Sequence, residues 1–250
     1  MKKLLILICL AISVVAFAGP EDVKVSEANT LYNDGMFNEA LGKYLEVVDA
    51  GFESSELYYN IGNAYFKLGE LPNAILFYER AKKLDPSNED IQYNLGLANS
   101  RIIDKHEQVP DIILKQWWNS FYNLFSVNTW AKVAIGLFIA SLVFFAVYLL
   151  SHTRIIKKLF FFVFVFIFLG TAFSFALAFQ KYYYSNEHKE AIVFEPTITV
   201  KSNPSKSSVD LFVIHEGTKL YITDELEDWV EIRIANGSVG WLPKTAMVKI

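Results

Sequence analysis

The chain has 250 residues, of which 53% are apolar and 20% charged, and its formal net charge at neutral pH is −4. That apolar share lies above the ordinary soluble range, and an acidic balance without a basic tract sets nucleic acid aside as a partner. At the start, Lys2 and Lys3 precede the apolar run Leu4–Val15 and the triplet Ala16-Phe17-Ala18, which reads as a cleavable secretory signal over residues 1–18. An uncleaved anchor is the alternative, but the run is shorter than the roughly 20 residues a bilayer span needs. Cleavage after Ala18 takes the net charge to −6 and removes Cys9, the only cysteine. Disulfides, thiolate metal sites and a cysteine nucleophile are then excluded together.

Residues 21–107 are periodic. Tyr58, Ile61, Gly62, Tyr65, Ala74, Tyr78, Ala81 and Pro86 stand at spacings that resemble the tetratricopeptide repeat, and a period of 34 links Ala28, Gly62 and Gly96, Gly35 and Gly69, Ala40 and Ala74, and Tyr44 and Tyr78. Two full repeats and a third first helix are expected, with helices over Val23–Asp34, Phe37–Ala50, Ser55–Leu68, Leu71–Leu84 and Asn88–Asp104. Small residues at Gly62 and Ala74 let paired helices approach, Tyr65 and Tyr78 fill the space beside them, and Pro86 stops the second helix. About three such repeats are usually needed for stability, so this array needs a cap: the 111–126 helix, the membrane or a partner protein.

The resemblance implies a concave face built from first-helix positions: Asp22, Val25, Asn29, Tyr32 and Asn33, then Glu56, Tyr59, Asn63, Phe66 and Lys67, then Asp90, Tyr93, Leu97, Ser100 and Arg101. Within it, Asn29, Tyr32, Tyr59, Asn63, Phe66, Lys67, Tyr93 and Arg101 form the expected partner-binding set. Aromatics with amides suit an extended peptide or a partner helix, or else several of these side chains contact the next repeat. Val25 and Asp90 stand where a carboxylate-clamping lysine would be wanted.

Residues 111–126 carry Ile113, Leu114, Trp117, Trp118, Phe121, Leu124 and Phe125 at helical spacing, which reads as an interfacial amphipathic helix, or as a core helix completing the array. Two charge-free apolar stretches follow, within residues 130–150 and 159–179, each long enough to cross a bilayer core of about 30 Å. The loop 151–158 between them holds Arg154, Lys157 and Lys158 and no acid, so it is expected in the cytoplasm. Both termini then face the periplasm, in agreement with the signal. Small residues at Gly170, Ser174 and Ala178, and at Gly136 and Ala140, suit close packing of this hairpin or of its dimer.

Residues 188–250 hold short β-rich runs, Ala191–Phe194, Thr197–Lys201, Leu211–Ile214, Lys219–Asp224, Trp229–Ile234 and Gly240–Leu242, parted by turn residues that include Asn236-Gly237. Even spacing indicates a small antiparallel barrel. The runs Thr199-Val200-Lys201-Ser202-Asn203-Pro204, His215-Glu216-Gly217-Thr218, Asp228-Trp229-Val230-Glu231-Ile232 and Gly240-Trp241-Leu242 resemble a bacterial SH3-type domain. Trp229 and Trp241 either anchor its core or line a peptide groove. The acidic turn Asp224–Asp228 is either a selector of basic ligands or a solvated turn.

No metal-ligand spacing, phosphate-binding glycine loop or nucleophile elbow occurs, and His106, His152, His188 and His215 are scattered, with no recurring carboxylate partner at a short interval. The expectation is a multi-domain, non-enzymatic protein without cofactors: an α-helical tetratricopeptide array, two transmembrane helices and a small all-β SH3-like barrel. That order resembles the BatE-like proteins of bacterial aerotolerance (Bat) operons. The resemblance implies an inner-membrane scaffold with envelope or membrane protein partners, among them von Willebrand-type Bat proteins, beside a cytoplasmic MoxR-type ATPase. The alternative is an envelope sensor whose barrel binds peptidoglycan or a peptide.

Overall fold

The computed structural model describes residues 20–105, 113–187 and 189–250; the expected signal peptide, His106 and His188 lie outside them. The chain divides between Glu53 and Ser54 into two compact units. In the first, α1 (Pro20–Asn33) and α2 (Phe37–Asp49) form a helical hairpin across a turn at Gly35, whose φ of +82° favours glycine. Ala28 and Ala40 are fully buried, and the Tyr44 hydroxyl donates to Asn29 Oδ1 at 2.6 Å.

The second unit opens with the same device. Helices α3 (Ser55–Leu68) and α4 (Leu71–Leu84) keep the expected boundaries because their stops are local. Ser54 Oγ accepts the Leu57 N–H at 3.0 Å, Gly69 ends α3 in the left-handed region, and Pro86 follows α4. The Tyr78 hydroxyl donates to Asn63 Oδ1 at 2.7 Å, one repeat on from the Tyr44–Asn29 bond. Helix α5 (Glu89–Asn99) packs Ile91, Leu95 and Ala98 inward and is capped by Asn88, whose Oδ1 accepts from the Asp90 and Ile91 N–H groups. It stops short of Asp104, the expected end, and the tail Ser100–Lys105 turns away instead.

Helices α7 (Val127–Leu150) and α8 (Arg154–Glu187) are about 36 and 51 Å long at about 1.5 Å per residue. They pack against each other along their length. Ala134, Ser141, Ser174 and Ala178 are buried at the contact, and a methyl on Gly170 would already touch Leu137, so small side chains set the helix separation. Gly136 faces open space. Buried residues make up only 11% and 6% of the most apolar windows of α7 and α8, the reverse of a soluble core helix. The connector is Ser151–Thr153 alone, since Thr153 O accepts the Lys157 N–H and starts α8 early. Arg154, Lys157 and Lys158 therefore lie exposed on the first five residues of α8.

At the other end of this pair lies α6 (Ile113–Tyr122), which is tied to it. Lys181 Nζ donates to Tyr122 O, Asn123 Oδ1 and Phe125 O at 3.3, 3.2 and 2.9 Å, placing a cation on the carbonyls that follow α6. Trp130 is buried beneath, its indole N–H on Tyr122 O and its ring against Phe121 and Phe125.

Strands β1 (Glu190–Val193), β2 (Thr197–Lys201), β3 (Asp210–His215), β4 (Lys219–Leu226), β5 (Trp229–Arg233), β6 (Val239–Pro243) and β7 (Met247–Lys249) form one antiparallel sheet of order β3-β2-β6-β5-β4-β1-β7. Ala191, Val193, Val200, Ile214, Leu220, Val230, Ile232 and Leu242 are at most 1% exposed and form one cluster. Those residues come from six strands of one sheet, so the sheet curls around its own core. Gly240 is required there, because a Cβ would lie 2.5 Å from Val200 Cγ1 and 2.9 Å from Lys201 O.

The sheet docks on α4 and on the tail after α5. Lys219 Nζ lies 2.9 Å from Glu79 Oε2 on α4 and 3.1 Å from Glu190 Oε1 on β1. Asp104 accepts from the His215 backbone N–H at 2.6 Å and from Thr218 Oγ1 at 2.8 Å, with His215 Nδ1 at 2.9 Å. Burial would raise the Asp104 pKa, but these hydrogen bonds outweigh it and hold the carboxyl below its ordinary value. Gly217, at φ +84°, lets Ile102 and Ile75 close against the turn. The C-terminal sheet thus covers part of this repeat end.

Candidate functional site

The first-helix face of α3 and α5 carries a hydrogen-bonded amide and tyrosine ladder. Asn94 Nδ2 donates to Tyr59 Oη at 2.9 Å and to Asn63 Oδ1 at 2.8 Å, and Asn63 Oδ1 also accepts from Tyr78. Asn63 and Tyr59 therefore join three helices while staying half-exposed. The Arg101 guanidinium lies 4.4 Å from the centre of the Phe66 ring, a cation–π contact that holds both side chains at the end of the face. Tyr93 is 71% exposed, Leu97 is exposed one turn along the same helix, and Lys67 is exposed near the end of α3. In the first unit, Asn29 is committed to Tyr44, and the Tyr32 ring meets Phe37 edge-on at 5.2 Å. The ladder offers Tyr93, Leu97 and Lys67 outward on a backing already stiffened by its own hydrogen bonds. Asn94, which the motif reading passed over, is its hub; its spacing of 31 and 35 residues from Asn63 and Tyr59 was the available signal.

Trp229 and Trp241 are half-buried and stand on the sheet face opposite the core, because their paired neighbours Val230 and Leu242 point inward. Trp229 pairs with Pro243 and Trp241 with Glu231, which sets the two indoles on one face at a diagonal. The neighbouring acidic turn is largely compensated at Glu225. Its carboxylate takes Lys249 at 2.8 Å, Lys189 at 3.0 Å and Lys244 at 3.5 Å. The hydrogen bonds from Lys249 and Lys189 hold its pKa down to about 2. Asp224, Glu227 and Asp228 remain exposed. Among the described residues no group of three histidine, cysteine or carboxylate side chains could hold a metal ion.

Residues 62–102 match the family model of the TPR repeat. Sperm-associated antigen 1 of Rattus norvegicus is 31% identical over 85 residues, which is 34% of this chain and 10% of that protein. The chain thus spans about a tenth of that relative's length. Among solved structures, an NlpC/P60 family protein from Bacillus cereus is similar over 28% of this chain and 23% of that one, at 22% identity and a TM-score of 0.22. Over residues 62–102 the helices are thus similar to the TPR repeat, a module that offers extended protein-binding surfaces.

Proposed function

We propose that this protein is a non-enzymatic scaffold of the bacterial inner membrane, which holds its repeats and an SH3-like barrel in the periplasm to assemble an envelope complex of the aerotolerance type. The observation that carries the reading is the junction between Glu79 and Asp104 on one side and Lys219 and His215 on the other. It joins the segments before and after the apolar hairpin, so a hairpin that crosses a bilayer returns the chain to the compartment it left. The exposed apolar flanks of α7 and α8 support the crossing, and Arg154, Lys157 and Lys158 at the tip support a cytoplasmic turn. The head then presents Tyr59, Asn63, Phe66, Lys67, Tyr93 and Arg101 to a peptide or helix of a partner, with Asn29 and Tyr32 as the corresponding set in the first repeat. Bat-type membrane proteins with von Willebrand-type domains fit as partners.

Reporters active only outside the cytoplasm, fused after Pro110, Ile155 and Ile250, should give signal, none and signal. Detergent-solubilised protein should then co-purify with envelope proteins, and Tyr93→Ala with Lys67→Ala should reduce their yield about tenfold, the loss expected when exposed anchors are removed. Any other reporter pattern rejects the topology. Unchanged yield from the double variant rejects the surface.

A second reading is favoured by the paired outer-face tryptophans: an envelope sensor whose barrel binds peptidoglycan or a peptide. Under it, the full-length protein sediments with cell-wall sacculi, and Trp229→Ala with Trp241→Ala abolishes sedimentation while melting within a few degrees of wild type. Failure of the wild-type protein to sediment removes this reading and leaves the scaffold untouched.

A further inference from the structure

A groove of about 440 Å³ runs along one flank of the apolar hairpin, walled by Ala134, Ile135 and Phe138 of α7 and by Phe168, Ala172 and Phe175 of α8. The hydroxyl of Thr171 also borders it but is spent on Ile167 O at 3.1 Å. Such a lining offers water or a polar ligand no free donor and at most one acceptor, too few partners to hold it, so an occupant there is a hydrocarbon. The rim has a different character. Lys132 and Asn128 are both exposed on α7, three and seven residues before Ile135; Lys132 follows Ala131, which also lines the groove, so it stands at the end of the groove, with Asn128 about one turn beyond on the same helix face. They sit level with Trp130 and the end of α6, where Lys181 is already committed to the carbonyls of Tyr122 and Phe125.

We infer that this groove holds one acyl chain of an anionic phospholipid, with the lipid phosphate at the Lys132 ammonium and Asn128 beside it. The inference rests on the reading of α7 and α8 as membrane spans. A hydrocarbon slot ending below an interfacial cation matches the two halves of such a lipid, the chain by burial and the phosphate by charge. A second copy of the hairpin fits less well. A two-fold dimer through this flank would bring Lys132 of each copy to the same depth against the other, and like charges in contact repel.

The test uses the full chain purified in mild detergent, incubated with palmitoyl-oleoyl phosphatidylglycerol or the corresponding phosphatidylcholine and weighed by native mass spectrometry. One phosphatidylglycerol per chain should remain bound, preferred over phosphatidylcholine by about tenfold. Ala172→Trp, at an exposed position, fills the slot and should lower occupancy by about tenfold or more. Lys132→Gln should keep a lipid bound but reduce the headgroup preference to about twofold, since only the charge is lost. Absence of a selective adduct, equal binding by Ala172→Trp, or a lipid-free dimer mass would each overturn the site. Carbonate extraction of membranes separates the two failures. A protein washed off overturns the spanning reading and this site together, whereas one that stays embedded yet binds lipid equally after Ala172→Trp overturns this site alone.

Discussion

Lys219→Met should destabilise the Ser54–Ile250 unit by about 3–5 kcal/mol, because it leaves two carboxylates facing each other without their cation. The Glu79 side chain is 8% exposed and that of Glu190 19% exposed, so neither is freely solvated. Burial by itself would lower the Lys219 pKa. The charges of Glu79 and Glu190, with the Glu79 hydrogen bond, outweigh it and raise the pKa well above the ordinary lysine value. A raised pKa means that the contribution is complete below the unfolded-state value of about 10.4 and is lost only as pH rises beyond it. At neutral pH the full effect should therefore be visible. Tryptophan-fluorescence melting in detergent should show a fall of about 6–20 °C, at about 2–4 °C per kcal/mol for a unit of this size. Hydrogen exchange should rise first in α4, β1 and the start of β4. The triple variant Glu79→Leu, Lys219→Met, Glu190→Leu should melt near wild type, because replacing all three removes both the attraction and the desolvation cost. A single variant that melts within about 2 °C of wild type would show that solvent already screens the contact.

Gly62→Val and Gly96→Ala should move stability in opposite directions, although the two glycines occupy the same position of the 34-residue period. A Cβ on Gly62 would lie 2.6 Å from Tyr78 Cδ1 and 2.7 Å from Cε1, in a ring that is fully buried and tied to Asn63 through its hydroxyl. The ring cannot swing aside without breaking that bond, so Gly62→Val should cost about 2–3 kcal/mol through overpacking. Gly96 has nothing within 4 Å of the same point, because no second helix packs across it among the described residues. Gly96→Ala should therefore stabilise α5 by up to about 1 kcal/mol, the helix-propensity difference. Denaturant midpoints of the two variants, measured beside wild type, check both signs. If both destabilise alike, the third first helix is closed by a neighbour that the Gly96 surroundings do not contain.

The contrast between these glycines marks the boundary between local and distant information. Ser54, Gly69, Asn88 and Pro86 act within four residues of themselves, so the ends of α3 and α4 and the start of α5 follow from short-range rules. The end of α5 does not, since Asp104 leaves the helical path for hydrogen bonds to His215 and Thr218 more than a hundred residues away. Strand β7 escaped the pattern reading for a related reason. Met247–Lys249 is only three residues long and exists by pairing with β1, over fifty residues earlier. The tryptophans were legible as residues of interest but not as outer-face residues, because their side of the sheet depends on the register with Pro243 and Glu231.

The amino-acid sequence alone determined the helical period, the apolar hairpin and the succession of short strands, because each depends on side-chain spacing that survives without knowledge of what lies across space. Only the tertiary structure decided what covers the repeat end. The answer lies in Lys219 between Glu79 and Glu190 and in Asp104 on the His215 turn, contacts whose partners are far apart in the chain and individually look like ordinary surface charges. Charge in a sequence does not announce whether it will be solvated or enclosed. Here burial makes the difference, turning one lysine into the joint between the two modules.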